Sequence, residues 1–226
     1  IEWILKIDIK SCFDTISHEW MLNHIFTDKV ILRKFIETPY VRNMISYPTL
    51  EGVPQGGALS SVLCNMTLDG LECLLSEQFG NDVHMIRYAD DILVLGNLKP
   101  FLVYSVTPVI KNFLAERNLA LSEQKTKIFH VENGFNFLSW NIYREQNEII
   151  SVPTRESIDR LLARIVNRLS SGEFAIPVEQ YFQIYPLIQG WMSYYIKLAK
   201  EQSLYDVKSE VLSLLHNMGL DQCADM

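Results

Sequence analysis

Cysteine, overall basic charge and long apolar runs are all in short supply. The 226-residue sequence holds four cysteines, Cys12, Cys64, Cys73 and Cys223, and none forms a C-x-x-C pair. Neither a zinc knuckle nor a disulfide framework is suggested, and a reducing compartment fits best. No apolar run reaches the roughly 18 residues that span a bilayer, and no basic segment leads into an apolar one at the start. A soluble chain without a membrane partner is expected. Lys and Arg number 20 against 27 Asp and Glu, a net charge of −7, so the chain lacks the general basic footprint of a phosphate-binding surface. The shortfall is uneven. From Thr154 to Lys200 six basic residues (Arg155, Arg160, Arg164, Arg168, Lys197, Lys200) face four acidic ones (Glu156, Asp159, Glu173, Glu179).

What is present is core material. Hydrophobic residues make up 48% of the chain, enough for one large domain or two modest ones. Residues 4–9 alternate, with Leu5, Ile7 and Ile9 on one face and Lys6, Asp8 and Lys10 on the other, the pattern of a half-buried strand bearing a carboxylate. A buried strand so near residue 1 is expected of a fragment whose upstream part is absent. Ser17 reads as the N-cap of a helix that turns Trp20, Met21 and Ile25 inward. Gly52-Val53-Pro54-Gln55-Gly56-Gly57 is a loop, and from Leu59 the apolar positions Val62, Leu63, Met66, Leu71, Leu74 and Leu75 predict one helix of about five turns. His84 to Gly96 reads as two strands meeting at Ala89-Asp90-Asp91, and a helix follows with Val106, Ile110 and Leu114 on its inner face. Phe135–Ile142 is another strand candidate. Pro153-Thr154-Arg155-Glu156 starts a further helix, two more cover 183–199 and 203–217, and a domain boundary is expected near residue 150.

The sharpest chemical feature is Tyr88-Ala89-Asp90-Asp91, two adjacent carboxylates at a hairpin tip. Adjacent aspartates resist joint ionisation unless a cation neutralises them. Alone, the pair reads equally well as an Asp-rich turn. Asp8 shifts the balance, because two strands offering carboxylates to one face of a sheet can hold two divalent ions about 4 Å apart, the geometry that clamps both oxygens of a phosphoryl transfer. Hard oxygen donors with no His/Cys cluster nearby suit Mg²⁺.

Lys6-Ile7-Asp8-Ile9-Lys10 with Phe13-Asp14, then Gly52-Val53-Pro54-Gln55-Gly56-Gly57-Ala58-Leu59-Ser60, then Tyr88-Ala89-Asp90-Asp91 resemble, in order and spacing, the palm motifs of reverse transcriptases. Asn65 to Glu72, Leu121 to Lys127, Phe135-Asn136-Phe137-Leu138 and Gly190-Trp191-Met192-Ser193-Tyr194-Tyr195 narrow the resemblance to the reverse transcriptase/maturase proteins of group II introns, over about residues 4–200.

The resemblance implies an α+β fold: an antiparallel-sheet polymerase palm over 1–150, its upstream fingers missing, and a small helical thumb, the maturase-like region, over 151–226. It implies RNA-directed DNA synthesis, with RNA template, DNA primer and deoxynucleoside triphosphates as partners, intron RNA as a further one, and a bacterial cytoplasmic or organellar location. Asp8, Asp90 and Asp91 would bind two Mg²⁺ ions, with the carbonyl of Ile9 a further ligand. Phe13 would lie beneath the incoming sugar and exclude a 2′-hydroxyl; as a bare residue it reads also as a core aromatic. Gln55 and Gly56 would let backbone approach template and nucleotide. Lys125 would neutralise or protonate the pyrophosphate, and reads almost equally as a solvated lysine on a strand edge. Phe137 and Leu138 would belong to a primer grip, although Ser139-Trp140 stands where the family usually has glycine.

Arg160, Arg164 and Arg168 recur every four residues and form one cationic stripe about 12 Å long. It suits the phosphates of a template–primer duplex; Glu156 and Asp159 stand close enough in sequence to make it an ordinary solvated face. Trp191, Tyr194 and Tyr195 suit base stacking, with core packing the better reading for Trp191. Two other functions stay open: a non-catalytic RNA-binding scaffold of reverse transcriptase shape, and a CRISPR-associated or phage-defence reverse transcriptase. A scaffold has no reason to keep three mutually repelling aspartates.

Overall fold

The structure is a computed structural model that describes residues 1–54, 56–170 and 177–219. It divides into two compact units, Ile1–His130 and Val131–Met226.

The first unit is built on an antiparallel sheet of order β4-β5-β1-β6. Its strands are β1 (Trp3–Ile7), β4 (Val83–Tyr88), β5 (Asp91–Gly96) and β6 (Lys127–His130). Alternation sends Leu5, Ile7, Ile92 and Val94 to one face, where they join a core with Leu63, Leu68, Leu71, Leu75, Ile110 and Leu114. These last come from α4 (Ser60–Leu68), α5 (Leu71–Phe79) and α7 (Thr107–Ala115); a short α6 (Lys99–Phe101) enters α7 through a π-helical turn at Leu102–Val106. Helices therefore cover one face of the sheet, and Lys6 and Asp8 stand on the other. Between β1 and α4 lie α1 (Cys12–Thr15), α2 (His18–His24), α3 (Lys29–Ile36) and the hairpin of β2 (Tyr40–Arg42) and β3 (Ile45–Tyr47). Ser17 caps α2 as expected, its hydroxyl accepting from the Trp20 amide at 3.1 Å.

The single five-turn helix predicted after Leu59 is two helices. Asp69 adopts an extended ψ of 148° and Gly70 a left-handed φ of 87°, which stop α4 and restart the chain as α5. The buried stripe of α4 also differs from the one expected. Val62 and Met66 are exposed, while Cys64, Thr67 and Leu68 are buried. Cys12 and Cys64, far apart in sequence, bring their sulfurs to 3.7 Å and join α1 to α4.

The second unit pairs a sheet β7 (Phe135–Phe137), β8 (Trp140–Glu145) and β9 (Glu148–Pro153) with helices α8 (Arg155–Ser170), α9 (Pro177–Tyr195) and α10 (Glu201–Asn217). Both hairpins turn through two residues of positive φ, Leu138–Ser139 and Gln146–Asn147, the backbone of a type I′ turn. Leu161, Ile165 and Leu169 of α8 pack on Ile184, Val207, Val211 and Leu215. The units part at His130/Val131, earlier than the boundary expected near 150. The reason is that this sheet is tied to the helices, the Ser139 carbonyl accepting from the Thr154 amide and the Ser151 carbonyl from the Lys200 amide. Among the described residues no helix is long and apolar enough to cross a membrane.

Candidate active site

Asp8 lies one residue beyond the last paired position of β1. The β1–β5 register sets Ile7 against Ile92, and continued by one step it puts Asp8 across from Asp91, on the side of the sheet opposite the helices. Asp8 is held there by the loop before β6. Its carbonyl accepts from the Ser122 amide at 2.8 Å, its amide donates to Thr126 Oγ1 at 3.4 Å, and the Lys10 amide donates to the Ala120 carbonyl. These bonds flank an isolated bridge between Ile9 and Leu121. Because carbonyl directions alternate along extended backbone, the Ile9 carbonyl turns to the opposite side from Asp8's, toward the β5 edge. The same loop puts Lys125 Nζ 3.8 Å from Asp8 Oδ1.

The hairpin tip is braced rather than loose. Tyr88 pairs with Asp91, so Ala89 and Asp90 form a two-residue turn, and Ala89 has φ 53°, a strained conformation for a residue with a Cβ. Arg87 holds it: one guanidinium nitrogen donates to the Ala89 carbonyl at 3.3 Å and to Asn65 Oδ1 on α4 at 2.8 Å. The Asp91 carboxyl is pushed above the usual carboxylate range, first by loss of hydration and then by repulsion from Asp90 and Asp8, with Lys6 pulling it back.

Phe13 and Gly56 are the other expected residues described in this unit. Phe13 is half-buried on α1, packed against the core, and its carbonyl accepts from the Val53 amide at 2.6 Å. Gly52 makes that contact possible. Its φ is 73°, and a Cβ there would sit 2.4 Å from both the Phe13 oxygen and the Asp14 carbonyl carbon. Gly56, φ 82°, is exposed with open space beyond it. Gln55 lies outside the described residues. The sequence reading put Lys6 on the face of Asp8 without giving it a role. It missed Ser122, Thr126, Asn65 and Arg87 as supports, and Gly52. Arg87 adjoins Tyr88 and was open to suspicion; the Asn65 partnership is long-range and has no local signal.

The second unit carries the other named residues. Phe137 is buried, and Leu138 sits in the turn with its carbonyl accepting from the Tyr194 hydroxyl at 2.8 Å. The Trp191 indole donates to Ser157 Oγ at 3.0 Å, and the buried Tyr195 hydroxyl donates to the Ser139 carbonyl at 3.0 Å and lies 2.8 Å from Ser157 Oγ. Trp191 and Tyr195 are thus packing residues, and burial pushes the Tyr195 phenol up. Arg160, Arg164 and Arg168 are exposed on α8, and Arg160 donates to Ser139 Oγ at 3.1 Å. Asp159, weighed as their counter-charge, is engaged by Arg155 at 2.8 Å, as is Glu210.

Among the described residues no three His, Cys, Asp or Glu side chains are already gathered as a metal cage. The donor set still fits Mg²⁺, which takes one or two carboxylates and completes its shell with water and substrate phosphates.

Comparison with known proteins gives a consistent answer. The family model for reverse transcriptase (RNA-dependent DNA polymerase) matches residues 1–142. The chain is 34% identical over 76 residues to the group II intron-encoded protein LtrA of Lactococcus lactis, covering 31% of this chain and 13% of that protein. It is 22% identical over 219 residues to maturase-like protein 1 of Euglena longa, covering 90% and 42%. Among solved structures, apo telomerase from Candida tropicalis superposes with a TM-score of 0.55 at 14% identity, over 99% of this chain and 47% of that one. The chain spans less than half the length of each.

Proposed function

The chain belongs to the reverse transcriptase family, of the type encoded by group II introns, and from that membership we propose that it is the palm and thumb of an RNA-directed DNA polymerase. The observation that carries the proposal is Asp8, held across from Asp91 at the open end of the β1–β5 ladder with Asp90 at the adjoining tip. A non-catalytic scaffold would gain nothing from an Asp91 carboxyl stripped of hydration and set beside two further aspartates.

In this reading the unit ending at His130 is the palm and the helical unit is the thumb. Asp8, Asp90, Asp91 and the Ile9 carbonyl would hold two Mg²⁺ ions, which when bound supply charge neutralisation for the attacking and leaving oxygens of nucleotidyl transfer. The chain's own residues do the rest. Arg87 and Asn65 keep the tip from yielding, and Ser122 and Thr126 fix Asp8, so the carboxylates are placed before substrate arrives. Lys6 tempers the charge on Asp91. Lys125 reaches Asp8 in the free protein and from there serves the departing pyrophosphate. Phe13, anchored through Val53 and Gly52, presents its ring edge to the sugar. Phe137 is buried and supports the primer-grip hairpin from within, leaving the Leu138–Ser139 turn as the part that meets a strand. The relatives' names tie them to introns, so intron RNA is the proposed template and a role in splicing and mobility accompanies synthesis.

Primer extension with RNA and DNA templates side by side tests this. RNA-templated incorporation of deoxynucleotides is expected, and Phe13→Val should lower the ratio of kcat/KM for deoxynucleotides over ribonucleotides. DNA-templated synthesis alone would reject the RNA-directed assignment, and an unchanged ratio would return Phe13 to the core.

A further inference from the structure

Cys12 and Cys64 are buried in the core of the first unit, and neither has a part in the proposed chemistry. Their sulfurs stand 3.7 Å apart, in contact but unbonded, whereas a disulfide closes to about 2.05 Å. Each adjoins a residue that shapes the active site. Cys12 precedes Phe13 on α1, and Cys64 precedes Asn65, the α4 acceptor of the Arg87 bond that braces the Ala89–Asp90 tip. The tip is near enough to be felt electrostatically. The Cys12 thiol is pushed up first by its hydrogen bond with Cys64, then by burial, and also by the charge of Asp90. The helix that carries Cys12 is a single turn of four residues, entered from Ser11 at a left-handed φ of 46° with no side-chain cap. Such a turn opens locally at low cost, which gives a small uncharged oxidant a way in.

We infer that Cys12 and Cys64 are a redox-modification site, where hydrogen peroxide joins them in a disulfide that draws α1 and α4 together and displaces Phe13 and Asn65 from their working positions. One sulfur, as thiolate after giving up its proton, attacks a peroxide oxygen. The S–O bond forms, the O–O bond breaks, and the departing hydroxide takes that proton and leaves as water. The second sulfur then attacks the sulfenic acid so formed. The S–S bond forms, the S–O bond breaks, and the hydroxide leaves as water with the second thiol's proton. Two thiols give up two electrons, and one peroxide is reduced to two waters. A transient bond of this kind suits a chain that is otherwise kept reduced. The bond stands on the geometry of the pair; its effect on synthesis rests on the polymerase reading.

The test uses the chain carrying Cys73→Ser and Cys223→Ser, which removes the exposed Cys73 and the fourth thiol as competitors, with and without a further Cys64→Ala; Cys64→Ser serves if the alanine variant fails to fold. Reduced protein is treated with hydrogen peroxide and digested without reductant for mass spectrometry, and primer extension is measured in parallel. A peptide pair joined through Cys12 and Cys64 is expected, with a fall in synthesis of about 10²-fold, the scale of an ångström-sized misplacement at a site. Dithiothreitol should reverse both, and neither should occur in the Cys64 variants. Free thiols or sulfinic acid at these positions, with no joined peptide, overturns the inference. A joined peptide with unchanged synthesis keeps the bond and overturns its effect on the site. Absence of synthesis before any oxidation overturns the polymerase reading, and the mass spectrum then decides the bond alone.

Discussion

Lys125 Nζ lies 3.8 Å from Asp8 Oδ1, so the loop before β6 delivers a cation to the first of the three aspartates. Lys125 is mostly exposed, and such a pair stabilises the fold little. The role proposed for it lies in the reaction. Lys125→Met should lower kcat by about 10²-fold with little change in KM, the lower end of what a positioned proton donor contributes, and Lys125→Arg should restore only part of it. Tighter Mn²⁺ binding with an unchanged kcat would show that the lysine merely screens Asp8.

Asp91 predicts a pH effect. Its carboxyl is raised, so the native state holds that proton more firmly than the unfolded chain does, and stability falls as pH rises from about 3.8 through the raised value. Asp91→Asn should therefore stabilise the metal-free protein slightly at pH 7, by a fraction of a kcal/mol because Asp91 is partly exposed. Mg²⁺ should raise the Tm of the wild-type chain and not that of the variant. Thermal melts with and without Mg²⁺ at two pH values check both, and an equal Mg²⁺ response in the variant would remove Asp91 from the ion site.

Gly52 separates backbone need from open space. Gly52→Ala must adopt φ 73° and displace the backbone of Phe13 and Asp14, a cost of about 2–4 kcal/mol. Gly56→Ala meets only the first demand, since nothing stands near it, and should cost about 1–2 kcal/mol. Urea unfolding of the two variants gives the comparison, and similar losses would mean that the Gly52–Phe13 contact is dispensable.

The α8 stripe has its own measurement. Replacing Arg160, Arg164 and Arg168 by glutamine should flatten the salt dependence of template–primer binding by up to about three counterions without changing sequence preference. Ser139→Gly removes the acceptor of Arg160 and the strain of φ 67°, so it should leave stability unchanged or raise it by up to about 1 kcal/mol while returning Arg160 to the duplex. A triple variant with the wild-type salt slope would make the stripe a solvated face.

Side-chain period and local punctuation made part of this molecule legible. Alternation around Asp8 identified the polar face of β1, Ser17 identified a helix start, and the paired aspartates identified a hairpin tip. Strand order was not legible, because nothing near Lys6 or Asp8 says that β5 and β6 flank β1. The break at Asp69–Gly70 was missed because apolar residues continue at helical spacing across it. The two hairpin turns in the second unit use Leu-Ser and Gln-Asn where type I′ geometry favours Asn-Gly, so β9 and the early unit boundary gave no warning. The supports of the site, Asn65 to Arg87 and Ser122 to Asp8, are contacts between distant segments, visible only once the chain is folded.

The central claim is that Asp8, Asp90 and Asp91 act together in nucleotidyl transfer. Primer extension on an RNA template by the purified Asp90→Asn protein, beside the wild-type protein and with contaminating polymerase excluded, tests it most directly. The account predicts extension by the wild type and loss of at least about 10³-fold in the variant, roughly 4 kcal/mol of transition-state stabilisation, with the fold intact by circular dichroism. Extension by Asp90→Asn at the wild-type rate would contradict it.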